Sequence, residues 1–247
     1  RAVAVSRARA RRRSQRARSD SRRARVSTAL ARPPPAPSPR RYNALEHRQR
    51  YCTAHTDDIV SFAMHPSRRL VATGECGRKP KVLVWDVDTC EPCQTLVGFH
   101  EGAVVQLAFS PSGQKLATVG MDVEHCLAVY EWESGVALFT GRVSLGRVLD
   151  VAFGEGDVLV TCGDAAPHIA FWQREGYKIA KRRGVFGKSA KRQPVLCLTP
   201  VGALMLSGTV SGELYVWSGR NCVKAILAHR GSVNALFTCA HGVVSGG

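Results

Sequence analysis

The sequence has no run of 18 consecutive apolar residues, so no segment is long and apolar enough to cross a membrane as a helix. Helical hydrophobic periodicity is scarce along its 247 residues. Collagen-like glycine spacing and the cysteine density of a disulfide miniprotein are both missing, and 45% hydrophobic residues exclude a wholly disordered chain. Acids are nearly absent from residues 1–41, where Asp20 stands against fourteen arginines for a net +13. The other 206 residues carry 21 Lys and Arg against 18 acids, so only +3 of the total +16 belongs to them. A basic balance ordinarily points to nucleic acid or an acidic surface, but here it describes one end of the chain.

That end also lacks aromatic residues, has few large aliphatics and carries a proline cluster at Pro33 to Pro39. It cannot bury enough apolar surface to offset its ordering entropy, so residues 1–41 are expected to be disordered, with polyproline character near the cluster. Four readings stand open: a polyanion-binding arm, a solvated linker, a transit peptide, or translated GC-rich non-coding sequence.

From Tyr42 onward, short apolar alternations separated by Gly, Pro, Asp and Ser turns recur to the end. Aromatic residues close one strand of each unit at Trp85, Tyr130, Trp172 and Trp217, with spacings of 45, 42 and 45. His55 and His100 are 45 apart, and His229 follows His100 by three units of 43. Two independent markers give one period of about 44 residues. The pattern resembles the WD40 repeat, which implies four strands per blade of a β-propeller. The expected fold is all-β: a WD40 β-propeller of about four blades plus part of a fifth, preceded by the disordered Arg/Pro-rich tail. The blades are placed at 52–96, 97–140, 141–180, 190–226 and, in part, 227–247.

Within a blade, a histidine, a strand Ser or Thr and an indole can form a buried hydrogen-bond chain that fixes strand register. The positions for it are His55, Thr73, Trp85 and Asp86 in the first unit, and His100, Thr118 and Tyr130 in the second. The third offers Thr161 and Trp172 with Ser144 near the histidine position, the fourth Ser207 and Trp217, and the fifth His229. Asp122 and Asp164 are candidate orienting acids. The set is incomplete in several units, so apolar packing is expected to carry more of their stability.

Several segments are more specific than a generic blade. Tyr42 to Tyr51 leads into Ala54-His55-Thr56-Asp57-Asp58-Ile59-Val60-Ser61, followed by Ala63-Met64-His65-Pro66, Arg183-Gly184-Val185-Phe186-Gly187-Lys188 and Gly212-Glu213-Leu214-Tyr215-Val216-Trp217. Together they resemble the echinoderm microtubule-associated protein-like family, in its long tandem-propeller form, over Tyr42 to Gly247. Only the downstream end of that family's HELP segment is matched, at Tyr42 to Tyr51. The resemblance implies a cytoskeletal protein of cytoplasm or cilium that binds tubulin or microtubules without a cofactor. It also implies that the missing blades come from the rest of a longer chain. Two alternatives remain: a generic WD40 scaffold for another complex, and RNA or polyanion binding through the tail, against which the lack of interleaved aromatics speaks.

Candidate chemistry is thin. Cys90-Glu91-Pro92-Cys93 has knuckle spacing, but no second pair accompanies it, so a surface turn is the expectation. Nine cysteines without regular spacing fit a reducing, intracellular setting. Gly184 to Ser189 superficially matches a phosphate-binding loop, but Arg182 stands where its first glycine belongs. Lys181, Arg182, Arg183, Lys188, Lys191 and Arg192 form the basic cluster of the folded part, either a solvated inter-blade loop or a contact for an acidic partner. No arrangement suggests Ser-His-Asp catalysis, paired carboxylates or a metal hydrolase, so no enzyme is expected.

Overall fold

Strands whose side chains alternate in and out, each ended by a Gly, Pro or Asp turn, pair mainly with their neighbours along the chain. The result is a series of antiparallel meanders. The computed structural model describes residues 40–43, 48–123, 125–143, 146–166, 168–175, 178–188 and 190–247. The tail up to residue 39, Ser144 and Ser189 lie outside the described residues.

A short hairpin, β1 (Arg40–Asn43) with β2 (Arg48–Tyr51), precedes the first blade. Blade one is β3 (Ile59–Met64), β4 (Leu70–Gly77), β5 (Val82–Asp86) and β6 (Pro92–Leu96). Blade two is β7 (Gly102–Phe109), β8 (Lys115–Gly120), β9 (Cys126–Glu131) and β10 (Val136–Arg142). Blade three is β11 (Val148–Phe153), β12 (Leu159–Gly163), β13 (Ile169–Glu175) and β14 (Lys178–Arg183). Blade four is β15 (Val195–Val201), β16 (Leu204–Thr209), β17 (Glu213–Ser218) and β18 (Asn221–Leu227). A last hairpin, β19 (Ala235–Cys239) with β20 (Gly242–Gly246), begins a fifth unit. The first strands β3, β7, β11, β15 and β19 lie side by side in that order, the arc of an incomplete β-propeller.

Three boundaries differ from the sequence expectation. β1 starts inside the 1–41 segment, because Arg40 and Arg41 pair with Tyr51 and Arg50. The outer strands of blades two and three run past 140 and 180, because pairing continues to Arg142↔Cys126 and Ala170↔Arg183.

The core lies in layers between the sheets. Val84, Val104, Leu116 and Tyr130 pack between blades one and two, Leu127, Val151, Leu159 and Trp172 between two and three, and Phe171, Val195, Met205 and Trp217 between three and four. Each such side chain contributes about 1.5–3 kcal/mol on burial, so these layers dominate the stability. Trp85 faces away from blade two and is covered by Cys52 and Ala54. On the last hairpin, Phe237 and Val244 remain 65% and 60% exposed.

A directional contact accompanies the apolar layers. The first strand of each of the four blades carries a bulge at one register position, at Val60, Val105, Leu149 and Leu196. The residue that follows reaches the next blade in all four cases. Ser61 Oγ donates to Val104 O at 2.6 Å, and Gln106 Nε2 donates to Leu149 O. Asp150 Oδ2 accepts from Leu198 N at 2.7 Å, and Cys197 Sγ donates to Val233 O at 3.4 Å.

Gly74 sits against the first of these contacts. A Cβ there would lie 2.4 Å from Ser61 Oγ and 2.8 Å from Val104 Cβ. Gly74→Ala is therefore expected to destabilise the protein by about 1–3 kcal/mol, read as a lower midpoint in thermal or urea unfolding. An unchanged midpoint would show that the blade contact is not tight.

Candidate functional site

The periodic polar residues come together inside the blades. In blade one, Trp85 Nε1–H donates to Thr73 Oγ1 at 3.0 Å, and Thr73 Oγ1 meets His55 Nε2 at 2.7 Å. His55 Nδ1 lies 2.9 Å from Glu75 Oε2. Burial depresses the His55 pKa against the pull of Glu75, so the imidazole is neutral. A neutral ring fixes the direction of the chain: indole to hydroxyl, hydroxyl to Nε2, and Nδ1–H to carboxylate. Burial acts to raise the Glu75 pKa, yet hydrogen bonds from Thr56 N and His55 outweigh it and hold the carboxyl below its ordinary value. Glu75, a 1% exposed acid two residues past Thr73, carries no motif of its own in the sequence. Its signal was there, since Asp164 follows Thr161 by a similar interval.

The other blades hold partial versions. His100 Nε2 meets Thr118 Oγ1 at 2.7 Å, but Asp122 stays 3.9 Å from Nδ1, beyond hydrogen-bond reach. Burial therefore pushes the His100 pKa down to about 4, with Asp122 only partly opposing it. Tyr130 occupies the indole position, opposite Leu116 as Trp85 is opposite Val71. Trp172 Nε1 donates to Thr161 Oγ1 at 3.0 Å, and Trp217 Nε1 to Ser207 Oγ at 2.9 Å. His229 Nε2 pairs with Ser245 Oγ at 2.8 Å. Asp164 is held by Arg147 at 2.8 Å. Asp86 stands apart from the network and caps the β5–β6 turn, accepting from Asp88 N at 2.7 Å and Thr89 N at 3.0 Å.

Two further groups depend on contacts that no motif marks. Trp132 is buried, donates to Gly113 O at 2.6 Å, and packs edge-on to His65 of blade one and Phe109 of blade two. In blade four, Tyr215 Oη donates to Lys191 O at 3.1 Å, while Gln193 Nε2 donates to Glu213 at 2.8 Å.

The remaining candidates are turned away from chemistry. Cys90 is buried and Cys93 exposed, with the Cys93 thiol pKa raised by burial and by Asp86. Asp57, Asp58 and Cys76 lie within 4.8 Å of one another, but Cys76 Sγ donates to Asp57 and its thiol pKa is raised by burial and by that acid. Phe186, in the loop that superficially matches a phosphate-binding turn, is a buried plug packed on Trp217 at 5.2 Å.

The basic cluster is divided. Lys181 lies over the Trp172 ring at 5.2 Å, its ammonium donates to Val143 O, and burial lowers its pKa, helped by Arg183. Arg182 and Arg183 are exposed at the end of β14. Lys188, Lys191 and Arg192 are exposed on the segment that leaves it.

Comparison with known proteins places this geometry. A family profile described as the echinoderm microtubule-associated protein first beta-propeller matches residues 48–247. Echinoderm microtubule-associated protein-like 2 of Rattus norvegicus is 36% identical over 224 residues, covering 83% of this chain and 34% of that protein. Echinoderm microtubule-associated protein-like 1 of Homo sapiens is 34% identical, covering 83% and 27%. The 77 kDa echinoderm microtubule-associated protein of Strongylocentrotus purpuratus is 34% identical, covering 83% and 32%. The chain thus spans about a third of the length of these relatives. Among solved structures, the Myceliophteria thermophila Cps50 (Swd1) β-propeller domain aligns with a TM-score of 0.63 at 14% identity, over 76% of this chain and 61% of that one. U3-55K aligns with 0.60 at 16%, over 76% and 57%. At these identities the likeness is one of fold.

Two outcomes follow from the polar networks. Thr73→Val leaves both His55 Nε2 and Trp85 Nε1 without their shared partner and should cost about 2–4 kcal/mol in urea unfolding. A cost near zero would show that the chain does not hold blade one. The second concerns pH. Burial raises the Asp150 carboxyl from 3.8 to about 6, against backbone donors Leu198 and Val151. The native state therefore binds that proton more tightly than the unfolded chain, and stability is lost as pH rises through about 6. His100, lowered from 6.5 to about 4, does the reverse and costs stability as pH falls over the same interval. In Asp150→Asn the carboxyl's contribution is gone, while those of His100 and the other shifted groups are shared with the parent. Relative to the parent, the variant should lose about 2–3 kcal/mol between pH 7 and pH 4. Parallel pH profiles for the two proteins would refute the assignment.

Proposed function

Because the chain belongs to the echinoderm microtubule-associated protein-like family, we propose that it is a microtubule- or tubulin-associated scaffold of WD40 type that acts by protein–protein binding. The supporting observation is the 36% identity to such a relative over 83% of this chain, beside the family match over residues 48–247. The interior chemistry agrees with a binding role. His55, the member of the blade-one network that could serve acid–base catalysis, is buried with both ring nitrogens bonded to Thr73 and Glu75, so it faces no substrate. On this reading the protein works at the cytoskeleton in the cytoplasm or a cilium, requires no cofactor, and presents loops and blade rims to its partner.

Co-sedimentation with microtubules across a salt series tests it. The protein should pellet at low salt and release progressively as ionic strength rises. Retention in the supernatant at low salt would defeat direct microtubule binding.

A further inference from the structure

The strongest charge asymmetry of the folded part lies between blades three and four. Residues 178–192 hold seven Lys and Arg and no acid, although residues 42–247 together are only +3. Everything else in that folded region therefore sums to −4. An unanchored stretch of like charges would be an ordinary solvated loop. This one is anchored at three points. Val185 bridges Asn221 of β18, with Val185 N donating to Arg220 O at 2.8 Å and Cys222 N donating to Val185 O at 2.8 Å. Phe186 is buried against Tyr215 and Trp217. The Lys191 carbonyl is held by Tyr215 Oη.

With the backbone fixed in this way, Lys188, Lys191 and Arg192 stay exposed on the rim beside Arg183. The Val185–Asn221 bridge also brings in Arg220 of blade four, a residue far away in sequence and likewise exposed. The nearby acid Glu213 lies 2.9 Å from Tyr215 Oη and accepts from Ser211 Oγ and Gln193 Nε2, contacts that hold its pKa below the ordinary value. Lys181 is not part of the rim, because it is spent on Trp172 and Val143.

We propose that this rim, formed by Arg183, Lys188, Lys191, Arg192 and Arg220, docks an acidic polypeptide segment. Preorganised backbone keeps the charges together without the entropy loss a free loop would suffer on binding. Among the described residues of the rim the aromatic ring is Phe186, which is buried. The surface thus offers carboxylates charge but offers bases no stacking platform, which favours a peptide over single-stranded nucleic acid. The proposal stands on the chain's own charge and packing and does not require tubulin to be the partner.

The test is fluorescence anisotropy with a labelled oligoglutamate peptide and the full chain. The arginine tail is controlled by a parallel background carrying Arg11→Glu, Arg12→Glu, Arg13→Glu and Arg22→Glu. In that background, reversing Lys188, Lys191, Arg192 and Arg220 to Glu should weaken the peptide at least about tenfold and flatten the salt dependence. The same four changed to Gln should give an intermediate loss with an unchanged melting temperature. Carbodiimide coupling of the bound peptide should mark Lys188 and Lys191. Unchanged affinity on reversal, coupling confined to other lysines, or displacement of the peptide by an oligonucleotide of equal charge would each overturn the proposal. Peptide binding without microtubule pelleting would sink only the functional reading above.

Discussion

A propeller depends on each sheet standing at a fixed height and angle beside the next, and apolar layers alone do not impose that. Hydrophobic contact is non-directional, so two packed sheets can slide with little loss until side chains clash. The bulge in the first strand of each of the four blades supplies the missing direction. It turns the following residue out of its own ladder and toward the neighbouring blade. Ser61, Gln106, Asp150 and Cys197 then make the same bridge with a hydroxyl, an amide, a carboxylate and a thiol. The chemistry varies while the register position does not. Geometry is therefore what the fold requires here, and any small polar group that satisfies a backbone partner will serve.

Inside the blades a second rule operates, and it explains why degenerate repeats remain stable. Every second strand carries a hydroxyl at the same place: Thr73, Thr118, Thr161, Ser207 and Ser245. Blade one gives that hydroxyl both a histidine and an indole. Blade two keeps the histidine, blades three and four keep the indole, and the last hairpin keeps the histidine. No hydroxyl in the series loses both partners. Leaving a buried hydroxyl unpaired costs about 1–3 kcal/mol, whereas dropping one of two partners costs less. The repeats could therefore drift in one partner at a time.

The sequence shows this architecture wherever it repeats and hides it wherever it depends on contact. The 45, 42 and 45 spacing of the aromatics and the histidine interval place the blades, because one unit of chain makes one sheet. His55, Thr73 and Trp85 are legible for the same reason. Glu75 is harder to see, because the acid sits on the strand end rather than in the turn where Asp122 lies. Trp132 escapes the pattern entirely. It is two residues beyond the aromatic position, and its partner Gly113 belongs to a turn whose approach to His65 only the folded pair of blades defines. Asp150 reads as a polar interruption of an apolar strand until the bulge register shows which way it turns.

The same separation of roles accounts for where charge accumulates. Residues that bridge blades or close a hydrogen-bond chain are confined by geometry to small polar or aromatic types, so they cannot carry recognition without weakening the fold. The basic side chains at the end of β14 and on the segment leaving it point to solvent rather than into a sheet interface. Exposed outer edges also gain from charged side chains, which discourage pairing with another chain. The stretch from β14 to Gln193 satisfies both conditions, since its structural duty is met by one buried ring at Phe186 and by backbone bonds at Val185 and Lys191. Its exposed side chains at Arg183, Lys188, Lys191 and Arg192 are released from packing. Concentrated positive charge is tolerable in such a place, and there it can be read by a partner without any cost to the blades beneath it.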